Sequence, residues 1–151
     1  MPRVTVPPLL EVGILVSTLG LLRGGAESMA VQLGLGLVRR GHRVTLVGGR
    51  WPGRALPEDL AALPVAWLRV PCVPANLWSA FLDKGDRRHQ LGVHPGSFRC
   101  GAALHPGLCR LVTTADVTFT LLPADTALFS AWRRRRGLPH VSYYLGGGRH
   151  W

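Results

Sequence analysis

A strand–helix–strand unit confined to residues 12–47 constrains this chain more than any other feature of its sequence. Residues 12–17 read Val-Gly-Ile-Leu-Val-Ser, a continuous apolar run with β-branched members, as a strand buried on both faces does. Past a loop, Met29, Leu33 and Leu37 recur at helical spacing with Ala30, Gly34 and Val38 beside them, so residues 26–40 present one apolar face. Glu27 in the first turn and Arg39 and Arg40 in the last carry the signs the helix dipole favours. Gly41 stands where a left-handed cap is needed. Gly34 and Gly36 each weaken a helix by about 1 kcal/mol relative to Ala, so their presence predicts close packing against a sheet. Residues 43–47 supply a second strand that ends at Gly48 and Gly49, and a right-handed crossover makes the two strands parallel.

The alternation continues. Residues 65–70, between Pro64 and Pro71, predict a third strand, and residues 117–122 and 139–145 a fourth and fifth. Helices are expected over 101–115, with Pro106 tolerable only in a first turn, and over 126–136, capped by Asp125 and closed by Gly137. Residues 72–98 are the least periodic, with one short helix expected around 78–82. Five strands alternating with helices predict an α/β fold, a doubly wound, mostly parallel Rossmann-like sheet with helices on both faces. Ligands of such a sheet sit beyond the carboxyl ends of its strands. A chain of 151 residues with 47% hydrophobic content buries a core without disulfides or a structural metal.

The formal charge is +10, yet 17 of the 18 basic residues are Arg and Lys84 stands alone, alongside abundant Ala, Gly, Pro, Leu and Val. All of these have GC-rich codons, so genome composition accounts for much of the excess. Cys72, Cys100 and Cys109 are an odd number without a framework spacing, which predicts free thiols and a cytoplasmic location. The apolar run of residues 12–22 is too short to span a bilayer and lacks a cleavage pattern.

The loop opening the first helix is the place for an anion, because backbone N–H groups at a helix start favour phosphate. It reads Gly20-Leu-Leu-Arg-Gly-Gly-Ala-Glu27, without the Lys and Ser or Thr of a P-loop. A dinucleotide site needs an acidic residue after the second strand, where this chain has Arg50; an NADP site with Arg50 on the 2′-phosphate is the form that survives. Gly24 and Gly25 also suit a plain tight turn.

The run from Gly24 through Glu27 to Leu33, continued by Arg40-Gly-His-Arg-Val44, resembles the amino-terminal signature of family-4 glycosyltransferases of the GT-B fold. Residues 114–120 and 137–142 are similar to that family's entries to its fourth and fifth strands. The resemblance implies the amino-terminal half of a GT-B fold: an acceptor-side domain of a retaining transferase that moves a sugar from a nucleotide-sugar donor to a glycan or lipid-linked acceptor. It further implies that Gly24 and Gly25 offer backbone donors to the donor diphosphate, stabilising charge on the leaving group. Residues 1–151 then form a single domain, incomplete at its carboxyl end, with no cofactor of its own. Its partner is a donor-binding domain or complementary subunit, without which it is expected not to turn over. A non-catalytic half-domain that docks on a donor subunit or a membrane is the alternative.

Where the family often places a His after its fourth or fifth strand, this chain has Asp125, and Gly146 and Gly147. Asp125 is the candidate polar group toward an acceptor, with helix capping as its other role. Trp78 and Phe81 are candidates to stack on sugar rings or to form a satellite core under a long loop. The run Arg133, Arg134, Arg135, Arg136 serves either a solvated helix end or a patch for anionic lipid, the latter a peripheral site at the inner membrane face. Basic residues do not alternate with aromatic ones, which argues against nucleic acid. Cys100, His105 and Cys109, with His89 and His94, match no zinc spacing, so no metal is expected. A sheet ending at its fifth strand is also expected to leave an edge open to association.

Overall fold

The computed structural model describes residues 8–20, 23–50, 53, 55–71, 102 and 104–143. The expected helix near 78–82, the candidates Trp78, Phe81, Gly146 and Gly147, and Cys72, Cys100, His89 and His94 lie outside the described residues.

The chain runs β1 (Glu11–Leu15), α1 (Gly25–Arg39), β2 (Arg43–Arg50), the short α2 (Glu58–Ala61), β3 (Ala66–Pro71), α3 (Pro106–Thr114), β4 (Val117–Thr120), α4 (Pro123–Arg134) and β5 (His140–Ser142). The strands form one sheet in the order β3-β2-β1-β4-β5, and every pair is parallel. The doubly wound sheet is therefore present, with its order reversing between β1 and β4.

Alternation along the central strands divides the core into two faces. Val12, Ile14 and Val16 of β1 and its extension join Val44, Leu46 and Ala30 beneath α1, with Met29, Leu33 and Leu37 packed on them. Leu15 and Val47 point the other way, into a cluster with Leu108, Leu111, Val112 and Phe129 of α3 and α4. Gly34 lets α1 lie close to the sheet, since a Cβ there would stand 3.3 Å from the Leu46 side chain; Gly36 has no such contact with the sheet. Gly41 takes φ +90° as the cap of α1.

Element ends differ from the sequence pattern for local reasons. β2 continues to Arg50 because Gly48, Gly49 and Arg50 pair with Arg69, Val70 and Pro71 of β3, and the chain leaving β1 crosses the same end, Gly49 N–H donating to Ser17 O at 3.0 Å. That crossing requires Gly48, where a Cβ would stand 2.6 Å from Leu19 O. Pro106 is the first residue of α3, and His105 caps that helix, its Nδ1 accepting from Leu108 N–H at 3.2 Å. α4 starts at Pro123, with Leu122 as its cap, three residues earlier than expected. A proline at the first helical position loses no hydrogen bond, so Asp125 falls inside the first turn and is not the cap.

The arginine run is also divided. Arg133 is fully buried, whereas Arg134, Arg135 and Arg136 are exposed. One helical turn beyond Phe129, the Arg133 side chain enters the core and reaches the carboxyl end of α3, where backbone carbonyls lack intrahelical partners. Its Nη1 donates to Val112 O at 3.0 Å and Ala115 O at 2.7 Å, Nη2 to Asp116 O at 3.1 Å and Pro139 O at 2.8 Å, and Nε to Pro139 O at 3.1 Å. Arg133 is thereby removed from the expected surface patch and caps α3. Arg133→Lys, offering three donors where five are used, is expected to lower unfolding free energy by about 2–4 kcal/mol. The same change at Arg135 is expected to stay within about 0.5 kcal/mol, both read by urea denaturation.

Candidate functional site

The carboxyl ends of β1 and β4 meet the starts of α1 and α4, the crevice where an open α/β sheet binds its ligands. Between the two helix starts runs the buried segment Ser17-Thr18, held from both sides by carboxylates. Asp125, in the first turn of α4, accepts Ser17 N–H through Oδ2 at 2.8 Å. Glu27, in the first turn of α1, accepts the Thr18 hydroxyl through Oε1 and Gly24 N–H through Oε2 at 3.0 Å. Both acids are buried, so these contacts replace the water they would otherwise hold.

Glu27 thus links the two ends of the loop between β1 and α1. Its reach to Gly24 is one half of a capping box, and a Cβ at Gly24 would stand 2.7 Å from Oε2 and push the carboxylate aside. Gly24 and Gly25 are both exposed, but they present different chemistry. The Gly24 N–H is already engaged by a carboxylate. Gly25 occupies the first helical position, whose N–H has no intrahelical acceptor.

A second polar cluster lies under α4. His140 of β5 pairs with Thr118 of β4, and its ring sits between two hydroxyls, with Nδ1 2.8 Å from Thr118 Oγ1 and Nε2 3.1 Å from Thr120 Oγ1. Thr120 Oγ1 lies 2.7 Å from Thr126 Oγ1, which donates to Leu122 O at 3.1 Å. Burial, aided by the nearby Arg133 guanidinium, pulls the His140 pKa below the ordinary value of 6.5.

The structure brings Gly24, Gly25 and Asp125 to one end of the sheet, and leaves Arg50 exposed at the end of β2. Asp125 is 3% exposed and turned onto the backbone of Ser17, away from any outside acceptor. His105 caps α3, and Cys109 within that helix is half-buried. No helix among the described residues is long and apolar enough to cross a membrane.

No protein-family model and no curated protein sequence matches the chain. Among solved structures, it is similar to apo UGT2 of Phytolacca americana, with a TM-score of 0.56 and 21% identity over 89% of this chain. The match covers 29% of the UGT2 chain, so the present sequence spans less than a third of that protein's length. The two share a Rossmann-like α/β fold, that of the amino-terminal half of a GT-B fold.

Sequence reasoning placed the glycine loop and Asp125 at this end of the sheet but missed what they touch. Glu27 read as a dipole charge and Asp125 as a cap; neither spacing signals a contact with residues 17 and 18 across the fold. Asp125→Ala, which strands the buried Ser17 N–H, is expected to cost about 1–3 kcal/mol in chemical denaturation, with Asp125→Asn recovering most of it through its amide oxygen.

Proposed function

We propose that this chain is the acceptor-side domain of a retaining GT-B glycosyltransferase of the family-4 type, whose donor is a nucleotide-sugar and whose acceptor is a glycan or a lipid-linked glycan. The observation that carries the reading is the exposed Gly24-Gly25 start of α1 at the reversal point of a glycosyltransferase-like sheet, set in the Gly-Gly-Ala-Glu sequence that resembles family 4. In this role the Gly25 N–H and the positive end of α1 face the donor diphosphate across the cleft, stabilising the charge that develops as the sugar leaves. Glu27 holds the loop in that shape through Thr18 and Gly24. The donor itself is bound by a second domain, in this chain's own protein or in a partner subunit.

The burial of Asp125 favours a second reading, a non-catalytic half-domain that docks on a separate donor subunit, because it leaves no exposed carboxylate at this end of α4 to meet an acceptor. Exposed Arg134, Arg135 and Arg136 support a peripheral position on an anionic membrane, each contributing about 1 kcal/mol near such a surface.

Amide NMR titrations test the assignment. Glycan acceptors are expected to shift residues 17–27 and 122–126, and nucleotide-sugars to bind only in the millimolar range. Micromolar nucleotide-sugar binding by this chain alone would move the donor site here and sink the proposal; saturable NADPH binding abolished by Arg50→Ala would replace it with the dinucleotide reading. For the membrane component, co-sedimentation with anionic vesicles is expected to fall at least tenfold when Arg134, Arg135 and Arg136 are all changed to Glu, and equal sedimentation would exclude that patch.

A further inference from the structure

One arrangement of hydrogens satisfies all four contacts around a neutral His140 at once. A carbonyl only accepts, so the Thr126 hydroxyl hydrogen is committed to Leu122 O. The contact between Thr120 and Thr126 must then use the Thr120 hydrogen, and the contact between Thr120 and His140 must use an N–H at Nε2. In a neutral ring with Nε2 protonated, Nδ1 is an acceptor, and it receives the hydroxyl hydrogen of Thr118. The chain runs one way from Thr118 through His140, Thr120 and Thr126 to the cap of α4.

We propose that His140 is a proton-operated latch on the edge strand: neutral, it ties β5 to β4 and to the first turn of α4; on taking a proton at Nδ1, it releases β5 from the sheet. The proton converts Nδ1 from acceptor to donor, and the Thr118 hydroxyl, which is fully buried, loses the acceptor for its own hydrogen. The ring simultaneously becomes a cation. The charge facing it from α4 is the Arg133 guanidinium, which is fixed in its carbonyl cage and cannot withdraw. β4 faces it with the uncharged Thr118 and Thr120. No carboxylate is among the groups that act on the His140 ring; Asp116, whose Oδ2 accepts Glu11 N–H at 2.7 Å, acts on Arg133. β5 is a three-residue strand at the sheet's edge, paired on one side among the described residues, so it is the element with least to lose by opening.

The direction of the pH effect follows from linkage. Because the closed strand holds the His140 pKa below 6.5, the opened strand binds the proton first. Opening is therefore insensitive to pH above 6.5, grows by up to tenfold per pH unit below it, and levels off beneath the closed-state value.

The test is amide hydrogen exchange on the full chain between pH 5 and 8, corrected for intrinsic rates. Protection of Val141 to Tyr143 is expected to fall by up to tenfold per pH unit below 6.5 while that of Val12 to Leu15 holds, and His140→Gln, a neutral donor and acceptor, is expected to abolish the difference. Parallel loss in both strands, or the same β5 response in His140→Gln, overturns the latch. Should that variant fail to fold, ring nitrogen shifts of the wild-type chain at pH 7.5 decide the matter: an Nε2–H tautomer is expected, and an Nδ1–H tautomer or a charged ring overturns the proposal.

Discussion

Two consecutive residues, Ser17 and Thr18, hold together the end of the sheet on which any ligand would sit. They leave the central strand and lead the chain across the end of β2, where the bare Cα of Gly48 admits the Leu19 backbone that follows them. A segment so deeply placed cannot satisfy its polar groups with water. The fold answers with carboxylates from the first turns of two helices on opposite faces, Glu27 from α1 and Asp125 from α4. Each acid complements its own helix dipole while fixing the loop between them. The two layers of the domain are thus coupled at the crevice itself, and the position of each helix start depends on the other through a short piece of backbone.

Most of the architecture was legible in the sequence because it is written in local patterns. The continuous apolar run of β1, the helical spacing of Met29, Leu33 and Leu37, and the caps at Gly41 and Gly137 each require only neighbours along the chain. One error arose where a distant segment decides, the other where two local signals compete. β2 outlasts its apolar run because β3 supplies partners for Gly48, Gly49 and Arg50. α4 begins at Pro123, where the ring's fixed backbone angle suits a first turn, so a more usual capping residue downstream misleads.

The site was legible only as a location. Glycines at a strand-to-helix turn and an acid after β4 point to the correct end of the sheet, yet nothing in the sequence pairs residue 125 with residue 17, or residue 140 with residues 118 and 120. Such pairs depend on the register of parallel strands, which the sequence specifies through topology and not through spacing. The arginine run shows the same limit. Four adjacent identical residues look like one surface feature, but helical geometry turns Arg133 inward and leaves the other three in solvent. The run of four therefore offers three guanidinium groups to a partner.

The Arg133 cage has a consequence for how the chain acquires its structure. Carbonyls from the end of α3, the turn at Asp116 and the entry to β5 all terminate on one side chain, which arrives later in the sequence than three of the four. The last turn of α3 and the approach to β4 therefore remain incompletely bonded until α4 docks. The end of α3, the turn at Asp116 and the entry to β5 therefore share their stability with α4, and protease cleavage within α4 would loosen α3 although no peptide bond of α3 is touched.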